Sequence, residues 1–208
     1  MGYIGTKPSA VPLTSADITD GIITSAKIAD GTIVNADINA SAAIVASKLS
    51  GVGITMVDRW RLTTDFTNTA EPIASNLERA DEASPGLIGT GMTQSSGIFT
   101  FPSTGIYLIQ AQFGFQLNGD ARDLAHYIKF TTNNSTYAAG AANDVFIRQT
   151  SSLTTWNGNF ISYTFDVTNV TTHKVRFDVE VGSNIATTIR GSTTADITAF
   201  TFIRLGDT

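Results

Sequence analysis

The sequence has 208 residues, which suits one domain of ordinary size with an additional segment. Only 15% of the residues are charged, the formal net charge is -5, and cysteine is absent. The acidic balance argues against a nucleic-acid partner, and the lack of cysteine excludes disulfides and thiolate metal sites. No apolar run approaches the roughly 18 residues of a membrane-spanning helix, so membrane insertion is not expected.

Residues 1–12 have neither the basic region nor the apolar core of a signal peptide, and we interpret them as a docking segment. Residues 13–55 then repeat a short unit with one large apolar residue about every five positions, which fits neither a helix nor a strand. The row consists of Ile18, Ile23, Ile28, Ile33, Ile38, Ile44, Leu49 and Ile54. Asp-Gly pairs at Asp20 and Asp30 mark turns at the same phase. An internal repeat of this kind indicates a stacked or wound architecture.

The repeat is poor in apolar side chains for its length, so it is not expected to fold as a lone monomer. Eight aliphatic side chains cannot offset the backbone entropy of the segment that they would order. In the favoured arrangement three chains wind together and the apolar row lines a shared axis. A short quadrilateral β-helix is the alternative, since the unit also resembles that of pentapeptide-repeat proteins. A disordered linker is the third interpretation, although linkers have no need of regularly spaced isoleucine.

From residue 56 to residue 208 the pattern changes to short alternating strands with turn signals between them. We predict strands at residues 126–130, 144–149, 160–167 and 199–205, besides a long one from residue 107. The predicted head core consists of Phe99, Tyr107, Ile109, Phe113, Phe115, Phe177, Val179, Phe200 and Phe202. Many short strands without a helical pattern predict an all-β fold, a jelly-roll β-sandwich.

The alternation at residues 174–181 places Lys174, Arg176, Asp178 and Glu180 on the face away from the core. Asp178 and Glu180 share a face as paired catalytic carboxylates do, but the basic neighbours neutralise them. We therefore predict a solvated face of mixed charge. No nucleophile motif occurs in the sequence, so the chain is not expected to be an enzyme.

Neither a cofactor nor a metal is expected. His126 and His173 do not have the spacing of metal ligands, and we interpret each as a structural histidine with satisfied hydrogen bonds. Asp120, Asp123 and Asp144 lie in loops that offer oxygen ligands for calcium. Solvated loop carboxylates are the favoured interpretation of these three residues.

The stretch GIFTFPSTGIYLIQAQFGF, residues 97–115, resembles the signature of the C1q/TNF-like family. Phe99, Pro102, Gly105 and Tyr107 stand at the positions of its F-x-x-P-x-x-G-x-Y motif. The ending ITAFTFIRLGD, residues 197–207, resembles the closing strand of the family, except that the family's glycine is replaced and Arg204 stands among the hydrophobic residues. The resemblance covers roughly residues 57–208. It implies a ten-stranded jelly roll that assembles as a compact homotrimer and serves as a binding head on a stalk.

The opening MGYIG and the repeat after it, residues 1–54, resemble short fibre and decoration proteins of tailed bacteriophages. This resemblance implies a homotrimer on the virion surface, attached through its N-terminal segment to capsid, portal or tail proteins. The head would then bind a host-surface receptor or neighbouring proteins. A head-decoration or cement protein that stabilises the shell is the alternative role. A secreted C1q-like recognition module is a further alternative, and the missing signal peptide counts against it.

Overall fold

The computed structural model describes residues 18–39, 41–44, 53–81 and 86–208. The chain divides into two units, residues 1–50 and 51–208. The predicted docking segment and Leu49 lie outside the described residues. No helix within the described ranges is long and apolar enough to cross a membrane.

The first unit has a structural period of ten residues. Its described residues form two 3-10 helices, Ser25–Lys27 and Asn35–Asp37, which start ten positions apart. The intervening turns are also equivalent, because Gly21 and Gly31 both have positive φ angles, +80° and +75°. Two consecutive five-residue units of the sequence thus form one structural unit. The predicted apolar row is uncovered in the single chain, where its described members from Ile18 to Ile54 are between 37% and 59% exposed.

The second unit, the head, is a sandwich of two antiparallel sheets. Its strands are β1 (Val57–Leu62), β2 (Phe66–Thr67), β3 (Leu77–Arg79), β4 (Leu87–Ile88), β5 (Thr93–Ser95), β6 (Ile98–Thr100), β7 (Gly105–Leu117), β8 (Ala121–Thr131), β9 (Ala138–Ile147), β10 (Thr155–Val167), β11 (Lys174–Val181), β12 (Thr188–Ile189) and β13 (Ala199–Gly206). The first sheet has the order β2-β12-β7-β13-β1-β3, with β10 also paired to β7 and β4 to β1. The second has the order β5-β6-β11-β8-β9. The predicted all-β jelly roll is confirmed.

The core lies between the two sheets and is rich in aromatic rings. All nine residues of the predicted head core are buried, none with more than 1% of its surface exposed. Period-two alternation explains this, since β7 and β11 turn every second side chain inward. Phe177 of the second sheet stacks on Phe200 of the first with ring centroids 3.7 Å apart, and Phe99 packs edge-on against Phe177. Ring contacts across the interface therefore join the two sheets.

The F-x-x-P-x-x-G-x-Y motif fixes the start of β7. The hydroxyl of Tyr107 donates a hydrogen bond to the carbonyl of Ser103 at 2.9 Å. Gly105 has a φ of +144°, and a Cβ atom there would lie 2.6 Å from the carbonyl oxygen of Gly206. The glycine thus lets β7 run close beside β13, at the point where the register between these strands shifts.

The two ends of the head differ in the strand termini and connecting loops that lie there. β1 begins and β13 finishes at one end, where Val57 pairs with Ile203; we call this the basal end. β7 and β8 are joined by residues 118–120, and β9 and β10 by residues 148–154. The register of these long strands places both connections at the opposite end, the distal end.

The prediction of a solvated face at residues 174–180 is wrong for two of its members. Asp178 is fully buried and accepts bonds from Arg176 at 2.8 Å and from Lys129 at 3.0 Å. Lys174 is only 9% exposed and its ammonium donates to the carbonyl of Val170 at 2.7 Å, while burial lowers its pKa. Asp178 is shielded from solvent by a residue that is distant in the sequence, since Lys129 belongs to the neighbouring strand β8.

Candidate functional site

The outer face of the first sheet carries a row of aliphatic side chains. The strand register places Leu108 of β7, Ile203 of β13, Val57 of β1 and Ile88 of β4 side by side. They alternate with the inward-facing core residues, so they point away from the core. The first three are half-buried and Ile88 is 44% exposed. We call these four residues the aliphatic row.

Two aromatic side chains stand on the same face, on β10. Trp156 is 60% exposed and Phe160 is 53% exposed. Between them lies Gly158, which pairs with Gly114 of β7 and has no side chain to fill the space between the rings. A groove of about 500 Å³ lies beside Trp156, and it is lined also by Arg190 and by Ile197, which packs over Gly114. We call Trp156 and Phe160 the aromatic pair.

Together the aliphatic row and the aromatic pair make this face the candidate interaction surface of the head. Exposed apolar groups that are clustered on one face of a soluble domain mark a contact with another molecule. Polar groups lie between them: the amide of Gln112 donates to the carbonyl of Asp196, and the indole of Trp156 donates to Gln116 at 3.1 Å. An apolar surface with interspersed hydrogen-bonding groups is typical of a protein–protein contact rather than of a catalytic centre.

An ion-pair network that the sequence analysis missed fixes the edge of this sheet. The buried carboxylate of Asp58 accepts bonds from Arg79 at 2.7 Å, from the indole of Trp60 at 2.9 Å and from the backbone N–H of Met92 at 2.6 Å. These bonds hold β1 against β3 and the segment before β5. The sequence pattern that could have predicted this network is the stretch VDRWRL, because alternation along the strand places its aspartate on the side that faces the core.

A second cluster lies on the outward side of β1. The guanidinium of Arg61 is only 1% exposed, and it binds Glu78 at 2.8 Å and also Asp81. Arg59 binds Asp196 at 2.7 Å. These pairs join β1 to β3, to Asp81 just after β3 and to the segment before β13, so the strand that carries Val57 of the aliphatic row is fixed in place.

The two histidines differ in their surroundings. His173 has hydroxyl partners at both ring nitrogens, Thr168 at 3.3 Å and Thr172 at 3.1 Å, as predicted. For His126 the prediction of satisfied hydrogen bonds is wrong: the ring is fully buried, and neither nitrogen makes a hydrogen bond of normal geometry with a described residue, the backbone of Leu124 included. It packs against Phe113 and Phe115, with centroids 4.7 Å and 5.7 Å away. Burial lowers its pKa, and the backbone of Leu124 and the charge of Asp144 only partly oppose this effect.

Asp120, Asp123 and Asp144, the loop acids considered for calcium, meet at one depression of the distal end. Arg122 and Arg148 line the same depression, so its charge is mixed. Across the part of the chain that the structure describes, no group of three or more His, Cys, Asp or Glu side chains is arranged to hold a metal ion.

Comparison with known proteins supports the fold. No family model matches the chain, and no curated protein matches it. The Eiger TNF structure from S. frugiperda matches with a TM-score of 0.54 at 14% identity, over 75% of this chain and 96% of that chain. Murine APRIL at pH 8.5 matches with a TM-score of 0.51 at 12% identity, over 72% and 98%, respectively. Identities this low show the fold alone: the head has a TNF-like jelly roll.

Proposed function

We propose that this chain is a homotrimeric structural protein of a tailed-bacteriophage virion. Its N-terminal repeat attaches to the particle, and its jelly-roll head projects and binds a host surface or neighbouring proteins. The observation that supports self-association is the uncovered apolar surface of each unit, namely the isoleucines of the repeat and the outer face of the first sheet. The bacteriophage assignment rests on the resemblance of residues 1–54.

The arrangement of the head surface favours a closed ring of copies. The aliphatic row centres on β13 and β1, whereas the aromatic pair lies on β10, on the other side of β7. One head therefore presents apolar groups at two separate positions of one face. A ring of three or more copies requires each copy to contact two neighbours through different patches, and a trimer is the smallest ring of this kind.

Phe160→Asp is expected to convert the trimeric head into monomers. The side chain is 53% exposed in the single chain, so the substitution leaves the core intact but places a charge inside the proposed contact. Analytical ultracentrifugation of the full chain measures the mass, in a background that also carries Ile28→Asp so that the repeat does not hold the copies together, and circular dichroism reports the fold. Thr132→Asp, on an exposed turn outside this face, is the matched control and retains the trimer. A Phe160→Asp protein that remains trimeric would contradict this contact.

Ile28→Asp is expected to abolish assembly of the repeat while the head remains folded. Three copies of the substitution would bring three carboxylates together where the isoleucines pack, at a high desolvation cost. Protease protection of residues 13–55 is the measurement, because the head contact keeps the three copies together and the mass of the full chain is not expected to change. Ala29→Asp introduces the same charge outside the apolar row and serves as the control. Unchanged protection in Ile28→Asp would rule out packing of three chains along this row.

Location on intact particles tests the proposed function as a whole. Gold-labelled antibody gives the position, and quantitative mass spectrometry of purified virions gives the copy number. Label on the tail at a few copies, in multiples of three, supports a receptor-binding fibre. Absence of the chain from particles, or a stable monomer in solution, would overturn the proposal.

A head-decoration protein is the second candidate for the role. The observation that favours it is the exposure of apolar side chains along the whole described length of the repeat, from Ile18 to Ile44. A segment that lies flat on a protein shell would present its apolar side chains in this way. Label over the head at tens to hundreds of copies would favour this role, and loss of capsid stability on its removal would test it.

A further inference from the structure

The depression at the distal end has the dimensions of a ligand pocket. Its volume is about 550 Å³, within the roughly 300–1,000 Å³ of small-molecule sites. It lies between the start of β8 and the end of β9, where Ala121 pairs with Ile147. The pocket is thus at the opposite end of the strands from Val57 and Gly206, where the chain enters and leaves the head.

Four of the five charged side chains of the pocket have no partners of their own. Within the described ranges, no hydrogen bond or ion pair engages the side chains of Arg122, Asp123, Asp144 or Arg148. Ion pairs between exposed side chains contribute little free energy, so these groups do not need to pair with one another. The two guanidinium groups and two carboxylates are therefore four hydrogen-bonding groups in one concavity that are available to a ligand.

The pocket is also pre-organised. The strand β8 has a bulge between Ala121 and Leu124, and Asp123 within it has a φ of +57°. The hydroxyl of Ser183 accepts from the N–H of Arg122 and donates to its carbonyl, both at 2.6 Å. Asp120 accepts from the N–H of Gln149 at 2.6 Å and so ties the two loops together. The backbone that carries the charged groups is therefore fixed before any ligand binds.

One wall of the pocket is apolar. Phe146 is 64% exposed, whereas the neighbouring Ile147 is buried beneath the pocket. An exposed aromatic ring beside unpaired donors and acceptors matches a ligand with one apolar face and several polar edge groups.

The balance of charge selects among such ligands. The pocket has three carboxylates and two guanidinium groups. The carboxylates repel an anion and the guanidinium groups repel a cation, so neither class of charged ligand is favoured. A hydroxyl group both donates and accepts, and adjacent hydroxyls match the paired oxygens of a carboxylate and the paired N–H groups of arginine. We propose that this pocket binds a neutral saccharide, whose ring lies on Phe146 and whose hydroxyls bind Asp123, Asp144 and the two arginines.

This inference deepens the proposed function, since it names the class of host-surface group that the head would bind and rests on that function for its biological role. The pocket and its saccharide can be tested without a particle. A trimer that is found on virions but binds no saccharide would refute the pocket alone. A chain that binds saccharide but is absent from virions would refute the proposed function alone.

The test uses the full chain and a panel of neutral and charged monosaccharides and oligosaccharides, measured by saturation-transfer NMR and calorimetry. Neutral members are expected to bind, and Asp144→Asn and Phe146→Ala are each expected to weaken binding by about tenfold or more, the effect of losing roughly 1.4 kcal/mol. The matched controls are Asp166→Asn and Leu153→Ala, an exposed carboxylate and an exposed apolar side chain that do not line the pocket.

Retained binding in both controls, together with loss in both pocket variants, supports the site. Equal binding by all variants would place the saccharide elsewhere and overturn the inference. Binding of charged members alone, or of none, would overturn it as well. Circular dichroism of each variant excludes misfolding, because Asp144 and Phe146 are exposed and their loss leaves the core unchanged.

Discussion

Asp58→Ala is expected to lower the free energy of unfolding of the head by about 3–5 kcal/mol, the cost of removing one partner of a buried ion pair. The carboxylate is fully buried and binds Arg79, the indole of Trp60 and the N–H of Met92. Its removal leaves the indole of Trp60 and the N–H of Met92 without this acceptor, whereas Arg79, whose side chain is 36% exposed, keeps its bond to the carbonyl of Met92. The measurement is urea unfolding of the full chain at fixed protein concentration, followed by tryptophan fluorescence and circular dichroism.

The exposed carboxylate of Asp166 provides the matched control. Its side chain lies on the surface of β10, so Asp166→Ala is expected to change the free energy of unfolding by no more than about 0.5 kcal/mol. A double substitution sharpens the test. Asp58→Ala combined with Arg79→Ala is expected to cost less than the sum of the two single changes, because the pair is then removed as a unit. Additive costs would contradict the coupling of Asp58 and Arg79.

Acidification from pH 7 to pH 5 is expected to destabilise the head, and His126→Leu is expected to remove most of that loss. Burial lowers the pKa of folded His126, whereas the unfolded chain binds the proton near the ordinary pKa of about 6.5. Stability is therefore constant above about pH 6.5 and falls below it, by up to about 1.4 kcal/mol per pH unit until the folded pKa is reached. Leucine has no proton to bind, and it fills the same apolar space.

Unfolding by urea at a series of pH values measures this effect. Phe113→Leu is the control, because it changes a ring that packs on His126 without removing a titratable group. This control is expected to lower the free energy of unfolding by the same amount at every pH. A His126→Leu protein that loses as much stability between pH 7 and pH 5 as the natural sequence would contradict the role of His126.

The sequence was sufficient to predict the sheet core because the core strands obey one rule. In β7 and β11 every second residue is aromatic or aliphatic, so the inward face can be identified without knowledge of the partner strands. The motif around Gly105 could be recognised because its residues are close in the sequence and Tyr107 binds Ser103 four positions earlier, although the contact of Gly105 with Gly206 of β13 is visible only in the structure.

The polar features of the interior could not be predicted in the same way. Asp58 lies inward on β1 because Arg79, which is 21 positions later in the sequence, reaches it. Asp178 is buried because Lys129, on the adjacent strand β8, covers it. In both cases the partner is determined by strand order, which alternation does not reveal. The exposed rings of Trp156 and Phe160 follow the same alternation as a core strand, so only the structure shows that they point outward.

The repeat is a different case. The Asp-Gly turns predicted a regular period, and the structure has equivalent turns at Gly21 and Gly31. The residues that cover the isoleucines cannot be read from one chain, because no described residue of the same chain covers them. A row of exposed apolar residues indicates that another surface covers it, and that surface has to be identified by experiment.

The pairing of β1 with β13 makes the head a convenient scaffold for display. Val57 pairs with Ile203, so a peptide or fluorescent protein fused after Thr208 would emerge beside the point where the chain enters the head. The loops at residues 118–120 and 148–154, at the other end of the long strands, would remain unobstructed. In the proposed trimer, cargo fused there would be carried in three copies around the base, and the proposed saccharide pocket would stay open to solvent.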